Sequence, residues 1–354
     1  MRYLVAGLGN IGQRRRALLG ERCVATADPF NAAADYRAVR DCPPDLYDAA
    51  VLAIPDDGKL DLIGYLLERG KHVLVEKPLP LSDEATARHL EALARARGVA
   101  LYTAYNHRFE PMLVTLREQL QAGAIGEVYH GRLFYGNGTV QHVAGTWRDH
   151  GLGVISDLGC HLLDLLAFSG AVEIEALTPP APLSRKRERG ESPTRLPSPA
   201  CGRGVGGEGS RLVRDSLRLV AAQAVETRAP DRAVIATADG RFTLEVMYHA
   251  WRNTFAFELY GRNGSLHCHG LRKWGGSELT VRTRVFPSGR PTEAQWTDEG
   301  PDVTWEREVE HFERLCVAGT IDLATDLSTD WWIAQGMAAL AAALAAQQPA
   351  QEHP

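Results

Sequence analysis

Apolar residues in the first hundred positions cluster in short runs, each followed by a longer mixed segment. The runs are "YLVA" (3–6), "CVATAD" (23–28), "AAVLAI" (49–54), "HVLVE" (72–76) and "VALYTA" (99–104). Runs this short and this apolar predict buried strands, whereas segments with helical spacing to Leu19, over 58–69 and after Ser82 predict helices. Ser82 is expected to cap its helix, with Asp83 and Glu84 in the first turn. Strand and helix in strict alternation predict a doubly wound α/β domain with a parallel sheet, here residues 1–122.

From about residue 123 the pattern changes. "EVYHGRLFYG" (127–136) alternates like a half-exposed strand, and "GVISDLGCHLLDLL" (153–166) reads as a buried helix. Strand-like runs follow at 215–225, 232–238, 241–249 and 254–260, with turns at Asp239-Gly240 and Asn263-Gly264. That spacing predicts a mostly antiparallel sheet, and two helices, near 305–318 and 327–346, close the chain. Residues 123–354 are therefore expected to form an α+β substrate and oligomerisation domain with a large open sheet, whose last helix packs back on the first domain.

The stretch 184–210, "SRKRERGESPTRLPSPACGRGVGGEGS", has almost no large apolar side chain and is expected to be a disordered insertion. Its basic run reads as a solvated loop rather than a nucleic-acid site. One back-translation of Pro197–Gly204 has a reverse complement that encodes Leu183–Arg189 in order, as an inverted-repeat DNA element translated in frame would. Sequencing the gene and finding no hairpin-forming repeat would dismiss that origin.

Composition narrows the function classes. The chain has 354 residues, 45% of them apolar, enough for two ordinary cores. A net charge of −5 argues against a general nucleic-acid binder. Six cysteines without a CxxC pair fit reduced thiols in a cytoplasm. The first residues run straight into a strand, so no leader is expected, and no apolar run suffices to cross a bilayer.

Three motifs carry chemistry. After the first strand comes Gly7-Leu8-Gly9-Asn10-Ile11-Gly12, a full GxGxxG opening a helix. Gly7 permits the tight turn, Gly9 lets backbone approach a pyrophosphate, and Gly12 lets helix and strand pack closely. Asp28, at the end of the second strand, is placed to accept the ribose hydroxyls of NAD and to repel the 2′-phosphate of NADP. Arg14, Arg15 and Arg16 complicate that preference, because one of them could reach a phosphate.

The second motif, Glu76-Lys77-Pro78, ends a strand at the carboxyl edge of the sheet, where such folds bind ligands. A lysine there can donate a proton or hold a substrate oxygen, and it can equally be an ordinary strand-end lysine. The third is the trio Asp157, His161 and Asp164, at i, i+4 and i+7, one face of a regular helix. The trio could also ligate a metal, but no further ligand cluster is evident, so none is expected. "HCH" (267–269) has no identifiable partner and reads as ordinary strand.

GLGNIG, Asp28, EKP, "YNHRFEP" (105–111) and GxxxxxDxGxHxxD (151–164), in this order and spacing, resemble the Gfo/Idh/MocA family, the glucose–fructose oxidoreductase and inositol dehydrogenase group. The motifs span residues 1 to about 170, and "ELYGRNGSL" (258–266) fits the family's second domain more loosely. The resemblance implies a Rossmann domain, a second domain on an open sheet, and oxidation or reduction of a hydroxyl or carbonyl on a sugar, cyclitol or sugar nucleotide with NAD(P). It implies that Lys77 contacts the reacting oxygen, His161 is the general acid/base and Asp157 orients substrate or tunes the proton relay.

Asp164 is the weaker member, bonding to backbone or an arginine. Gly7, Gly9, Asn10, Ile11, Gly12, Asp28, Glu76, Lys77 and Asn106 are expected to bind cofactor. Tyr105, His107, Trp147 and Arg148 join Lys77, Asp157 and His161 as substrate-binding candidates. The family often has three glycines where this chain has Gly151-Leu152-Gly153, a departure that would narrow the pocket or reshape the loop. The expected protein is an NAD-dependent oxidoreductase, a homodimer or homotetramer. Its rivals are a non-catalytic dinucleotide-binding regulator and a decaying copy broken by the insertion.

Overall fold

The computed structural model describes residues 1–146, 148–177, 217–317 and 326–347. The expected insertion at 184–210 and Trp147 lie outside the described residues.

The first half is a five-stranded parallel sheet. β1 (Tyr3–Ala6), β2 (Cys23–Ala27), β3 (Ala49–Leu52), β4 (His72–Glu76) and β5 (Leu101–Ala104) lie in the order β2-β1-β3-β4-β5. β1, β3 and β5 are buried at every position because helices cover both faces. On one side lie α2 (Lys59–Glu68) and α3 (Glu84–Arg97), which send Ile63, Leu66, Leu67, Ala87 and Leu90 against Leu4, Leu52 and Val73. On the other, Tyr3, Val5, Val51 and Leu74 meet Val309, Phe312 and Leu315 of α7 (Thr304–Val317). A helix late in the chain thus completes the first core. α1 (Asn10–Leu19) follows the glycine loop. The cap of α3 is Asp83 rather than Ser82. Asp83 Oδ1 accepts the Thr86 N–H at 2.7 Å, and Ser82 only donates to the Asp83 carboxylate.

α4 (Pro111–Gln121) leads into the second half. There an eight-stranded sheet contains β6 (Val128–Gly136), β7 (Leu217–Gln223), β8 (Arg232–Thr237), β9 (Phe242–Met247), β10 (Thr254–Gly261), β11 (Gly264–His269), β12 (Ser277–Thr283) and β13 (Thr292–Asp298). Their order is β13-β12-β11-β10-β6-β9-β8-β7, antiparallel except for the β6–β9 pair. The sequence pattern had not shown β12 and β13. Alternate residues (Leu133, Tyr135, Phe257, Leu259, Leu266, Cys268) face a core shared with α4, α6 (Cys160–Ser169) and α8 (Ser328–Gln347). The short α5 (Val140–Val143) contributes Val140 and Val143 to that core. The other face carries Arg132, Glu258, Tyr260, His267 and Arg282.

α8 touches both halves. Trp331 and Ala334 pack with the α2/α3 core beside Leu327, while Trp332, Ile333, Met337 and Leu340 join the second. No helix among the described residues is long and apolar enough to cross a membrane.

Candidate active site

The glycine loop is built as its spacing demands. Gly7 has φ +84°, and a side chain there would meet Ala53 O at 2.3 Å. A Cβ on Gly12 would fall 1.7 Å from Gly7 O. Gly9 differs, since a Cβ there meets nothing within 4 Å. No side chain caps the first turn of α1, where Gly9 and Asn10 are exposed and Ile11 is partly so. An uncapped helix start beside open space is a ready anion cradle, so these residues fit the pyrophosphate of a dinucleotide.

Asp28 follows β2 directly. Its Oδ2 accepts the Leu8 N–H at 2.7 Å, and Oδ1 accepts those of Phe30 and Asn31. These bonds, the Leu8 one foremost, hold its carboxyl below the usual carboxylate range. It is an ionised group fastened to the glycine loop, with lone pairs left for ribose hydroxyls. Of the three arginines, Arg15 turns inward to Glu76 and Glu308, and Arg14 pairs with Asp302 over the Trp305 ring. Only Arg16 stays exposed without an ion pair among the described residues.

EKP leaves β4 at the carboxyl edge. Lys59, buried at the start of α2, grips its backbone by donating to the carbonyls of Glu76 and Pro78, both at 3.3 Å. Glu76, expected at the cofactor, instead accepts from Arg15 Nε at 2.7 Å. Lys77 reaches across to the second half. Its Nζ donates to Asp157 O at 2.6 Å and lies 3.3 Å from Asp157 Oδ1.

Asp157 is not on a regular α-helix. Residues Ile155–Gly159 form a π-helical turn, and α6 begins only at Cys160. The extra residue per turn breaks the uniform stripe expected over 153–166, so the three ionisable groups find three different partners. Asp157 takes Lys77, and the Tyr248 hydroxyl donates to its Oδ2 at 3.2 Å, with Arg148 Nε 3.8 Å away. Asp164 forms a buried bidentate pair with Arg108, which fixes it as structural. His161 stacks on His107 with centroids 4.2 Å apart and planes at 19°. Gly153 admits this turn, since any Cβ there would strike Pro230 O at 2.4 Å. Leu152 packs against the second core.

The electrostatics separate the roles. Burial works against the Lys77 ammonium, yet Cys160 and Asp157 outweigh it and raise its pKa. Burial likewise opposes the Asp157 charge, but Lys77 and Arg148 hold the carboxyl low. This is an ion pair at neutral pH. His161 is driven well below its ordinary value by burial, then by His107, Lys77 and Lys273, so it stands neutral. Its Nδ1 is buried with no hydrogen-bond partner among the described residues.

The wall behind His161 is polar and ordered. Asn106 Oδ1 can only accept, so His107 Nδ1 carries the proton of their 3.0 Å bond. His107 Nε2 then accepts from the Tyr135 hydroxyl at 3.2 Å, and Tyr135 accepts from Lys273 Nζ. Asn106 in turn donates to Thr304 Oγ1 at 2.9 Å, which spends its side chain within the protein. Tyr105, expected to touch substrate, is wholly buried edge-on to His161 and backs the imidazole instead. His107, 3% exposed, does the same from the other face.

Lys273 went unnoticed in the sequence, where "LRKWGG" matches no motif. The residue is exposed, but its ammonium end packs against Tyr135 and Trp274. Lost hydration, opposed by Glu110 and aided by Lys77, brings its pKa down to about 8.

Two other features lie apart. His267 and His269 do have a partner, Glu258 on β10. His269 Nε2 is 3.6 Å and His267 Nδ1 3.8 Å from Glu258 Oε1, so "HCH" is a polar cluster on the open sheet face. A cavity of about 470 Å³ lies beside Asp149, Gly151, Gln223 and Leu344. It contains none of the trio, and the Asp149 carboxylate is taken by the N–H groups of Gly145, Arg228 and Ala229.

A doubly wound parallel sheet is joined to a large open sheet, and Lys77 and Asp157 meet between them beside His161. Two family profiles match this chain. They are an oxidoreductase family with an NAD-binding Rossmann fold over residues 1–105 and the GFO/IDH/MocA C-terminal domain over 113–267. Together they cover well over half of the chain, which belongs to the Gfo/Idh/MocA family.

An uncharacterised oxidoreductase, YdgJ of Escherichia coli, is 34% identical over 143 residues, 38% of this chain and 41% of that protein. Inositol 2-dehydrogenase of Rhizobium meliloti is 33% identical over 143 residues, 36% of this chain and 43% of that one. The chain thus spans about two-fifths of the length of these curated relatives. The solved structure of UDP-N-acetylglucosamine 3-dehydrogenase GnnA from Acidithiobacillus ferrooxidans shares the fold, with TM-score 0.67, 18% identity, 98% of this chain and 99% of that one covered.

Proposed function

We propose that this chain is an NAD(P)-dependent oxidoreductase that interconverts a carbinol and a carbonyl on a cyclic polyol, sugar or sugar nucleotide, with NAD preferred. One observation carries the reading: Lys77 from the first half and Asp157 from the second pair within reach of a buried, neutral His161. The relatives named for inositol and for UDP-N-acetylglucosamine support the substrate class. Asp28, ionised on the glycine loop, supports NAD over NADP.

Gly7, Gly9, Asn10, Ile11, Gly12 and Asp28 would hold the dinucleotide, whose nicotinamide supplies the hydride acceptor. In the oxidative direction His161 takes the hydroxyl proton as the carbinol C–H bond breaks and the carbonyl forms. The imidazole, neutral before the step, becomes imidazolium. Lys77 faces the same oxygen and stabilises its developing negative charge. Asp157 keeps Lys77 protonated and aimed. Reduction runs these transfers backwards. We place the protein in the cytoplasm as a homo-oligomer joined through the polar face of the eight-stranded sheet, a reading supported by the free cysteines among the described residues and by that large sheet.

The test is absorbance of reduced nicotinamide in the full chain given NAD or NADP with a panel of cyclitols, sugars and nucleotide sugars. Turnover with at least one compound is expected, faster with NAD. Dinucleotide binding with no turnover across a broad panel would favour a regulator.

A further inference from the structure

The proposed reaction leaves one cation of the site unused. Lys273 sits in the single 3-10 turn Arg272–Trp274 between β11 and β12. Its ammonium is 5.1 Å from the centre of the Tyr135 ring and 4.4 Å from that of Trp274. The His161 ring lies 6.1 Å from that same Tyr135 ring. Lys273 and the imidazole therefore both border the Tyr135 ring.

The charges around Lys273 do not balance. Among the described residues its only hydrogen bond is to the neutral Tyr135 hydroxyl, which uses one of three ammonium protons. None of the described ion pairs includes it. Glu110, the carboxyl that acts on it most, accepts the Arg272 N–H, and burial pushes it up to about 7, so it is only partly ionised near neutrality. Asp157 is committed to Lys77, Arg148 and Tyr248, and Asp302, which also acts on Lys273, is paired with Arg14. The neighbouring imidazoles are neutral, and the Lys77 ammonium opposes a second cation. A partly dehydrated ammonium on an exposed residue, held without a full counter-charge beside another ammonium, is an anion site awaiting its ligand.

We propose that the substrate carries an anionic group, a carboxylate or a phosphate, close to the carbinol, and that Lys273 binds it. Substrates of this class are sugar acids, hydroxy acids of cyclic polyols and sugar phosphates. The Trp274 ring beside the ammonium gives the substrate's carbon skeleton an apolar flank. The inference rests on the oxidoreductase reading and narrows its substrate class.

The experiment compares matched sets in the full chain with NAD: glucose, gluconate, glucuronate and glucose 6-phosphate, and myo-inositol with its monophosphates. A charged member is expected to exceed its neutral partner at least tenfold in kcat/KM, and the preferred member tells carboxylate from phosphate. Lys273→Met should raise KM for that member by roughly ten- to a hundredfold, as loss of a hydrogen bond to a charged group does. That rise should exceed any on the neutral partner tenfold, with kcat less affected, and Lys273→Arg should restore most of it. A wild-type preference for the neutral partner, or equal losses on both in Lys273→Met, overturns the proposal. If nothing turns over, titration of the NAD-loaded protein with the same anions decides. Lys273-dependent binding keeps the anion site and sinks the reaction, whereas no binding overturns both.

Discussion

Glu76 and Lys77 are neighbours in sequence, yet they belong to two ionic clusters of opposite character. Glu76, half-buried like Lys77, joins the wholly buried Glu308 around the Arg15 guanidinium, itself 1% exposed. That cluster ties α1, β4 and α7 together and offers nothing to a ligand. Lys77 faces the seam and meets Asp157, both sides of the pair partly exposed. Beside it, among the described residues, stand an imidazole nitrogen with no hydrogen-bond partner and an ammonium without a full counter-charge. Ion pairing alone therefore does not mark a catalytic group. Unspent hydrogen-bonding capacity next to an accessible surface does.

Several substitutions sharpen that contrast. Arg15→Met strands the buried Glu308 carboxylate and the half-buried Glu76 and should destabilise the protein by about 3–5 kcal/mol in denaturant unfolding. Lys77→Met should cost less, about 1–3 kcal/mol in the same assay, because Asp157 keeps Arg148 and Tyr248. Equal costs would erase the distinction between the clusters.

Gly9→Val should weaken NAD binding at least roughly tenfold by filling the pyrophosphate approach. Its melting temperature should hardly move, because a Cβ at Gly9 meets nothing within 4 Å. Gly12→Ala should lose stability as well as binding, because its Cβ would collide with Gly7 O. Calorimetric titration and thermal melts separate the two effects.

Tyr135→Phe removes the hydroxyl between Lys273 and His107 and should cost about 1–3 kcal/mol.

The smallest effect is on pH dependence. His161 and His107 have folded pKa values far below the unfolded value of about 6.5, so below that pH the unfolded chain binds protons the folded chain refuses. Stability should be full above pH about 6.5 and fall as the pH drops, and His161→Leu should flatten the slope there. An unchanged slope would mean that His161 is protonated in the fold.

The parts of this molecule legible in the sequence are those whose signal is local. β1 and β3 announce themselves because both faces are buried, and the glycine loop because strand, turn and helix are contiguous. β13, "TEAQWTD", escaped notice because it is an edge strand, exposed or partly exposed at every residue, with no alternation to read. The π-turn at Ile155–Gly159 was invisible to a search for helical periodicity, which assumes regular spacing.

Long-range partners were hidden for a different reason. Arg15 with Glu308, and Lys273 with Tyr135, meet only once the chain has folded. The Glu258 partner of His267 was recoverable. The hairpin at Asn263-Gly264 fixes the register that pairs Glu258 with His267, and counting back from the turn would have found it.

The central claim is that His161 moves the proton while the glycine loop and Asp28 hold the cofactor. The most direct test pairs NAD affinity with turnover of whichever panel compound is active, in wild type and His161→Ala. The account predicts unchanged NAD affinity and a turnover loss of about a hundred- to ten-thousandfold. A variant that binds NAD and keeps more than about a tenth of wild-type turnover would contradict it, because general acid–base catalysis by this residue is worth far more than tenfold.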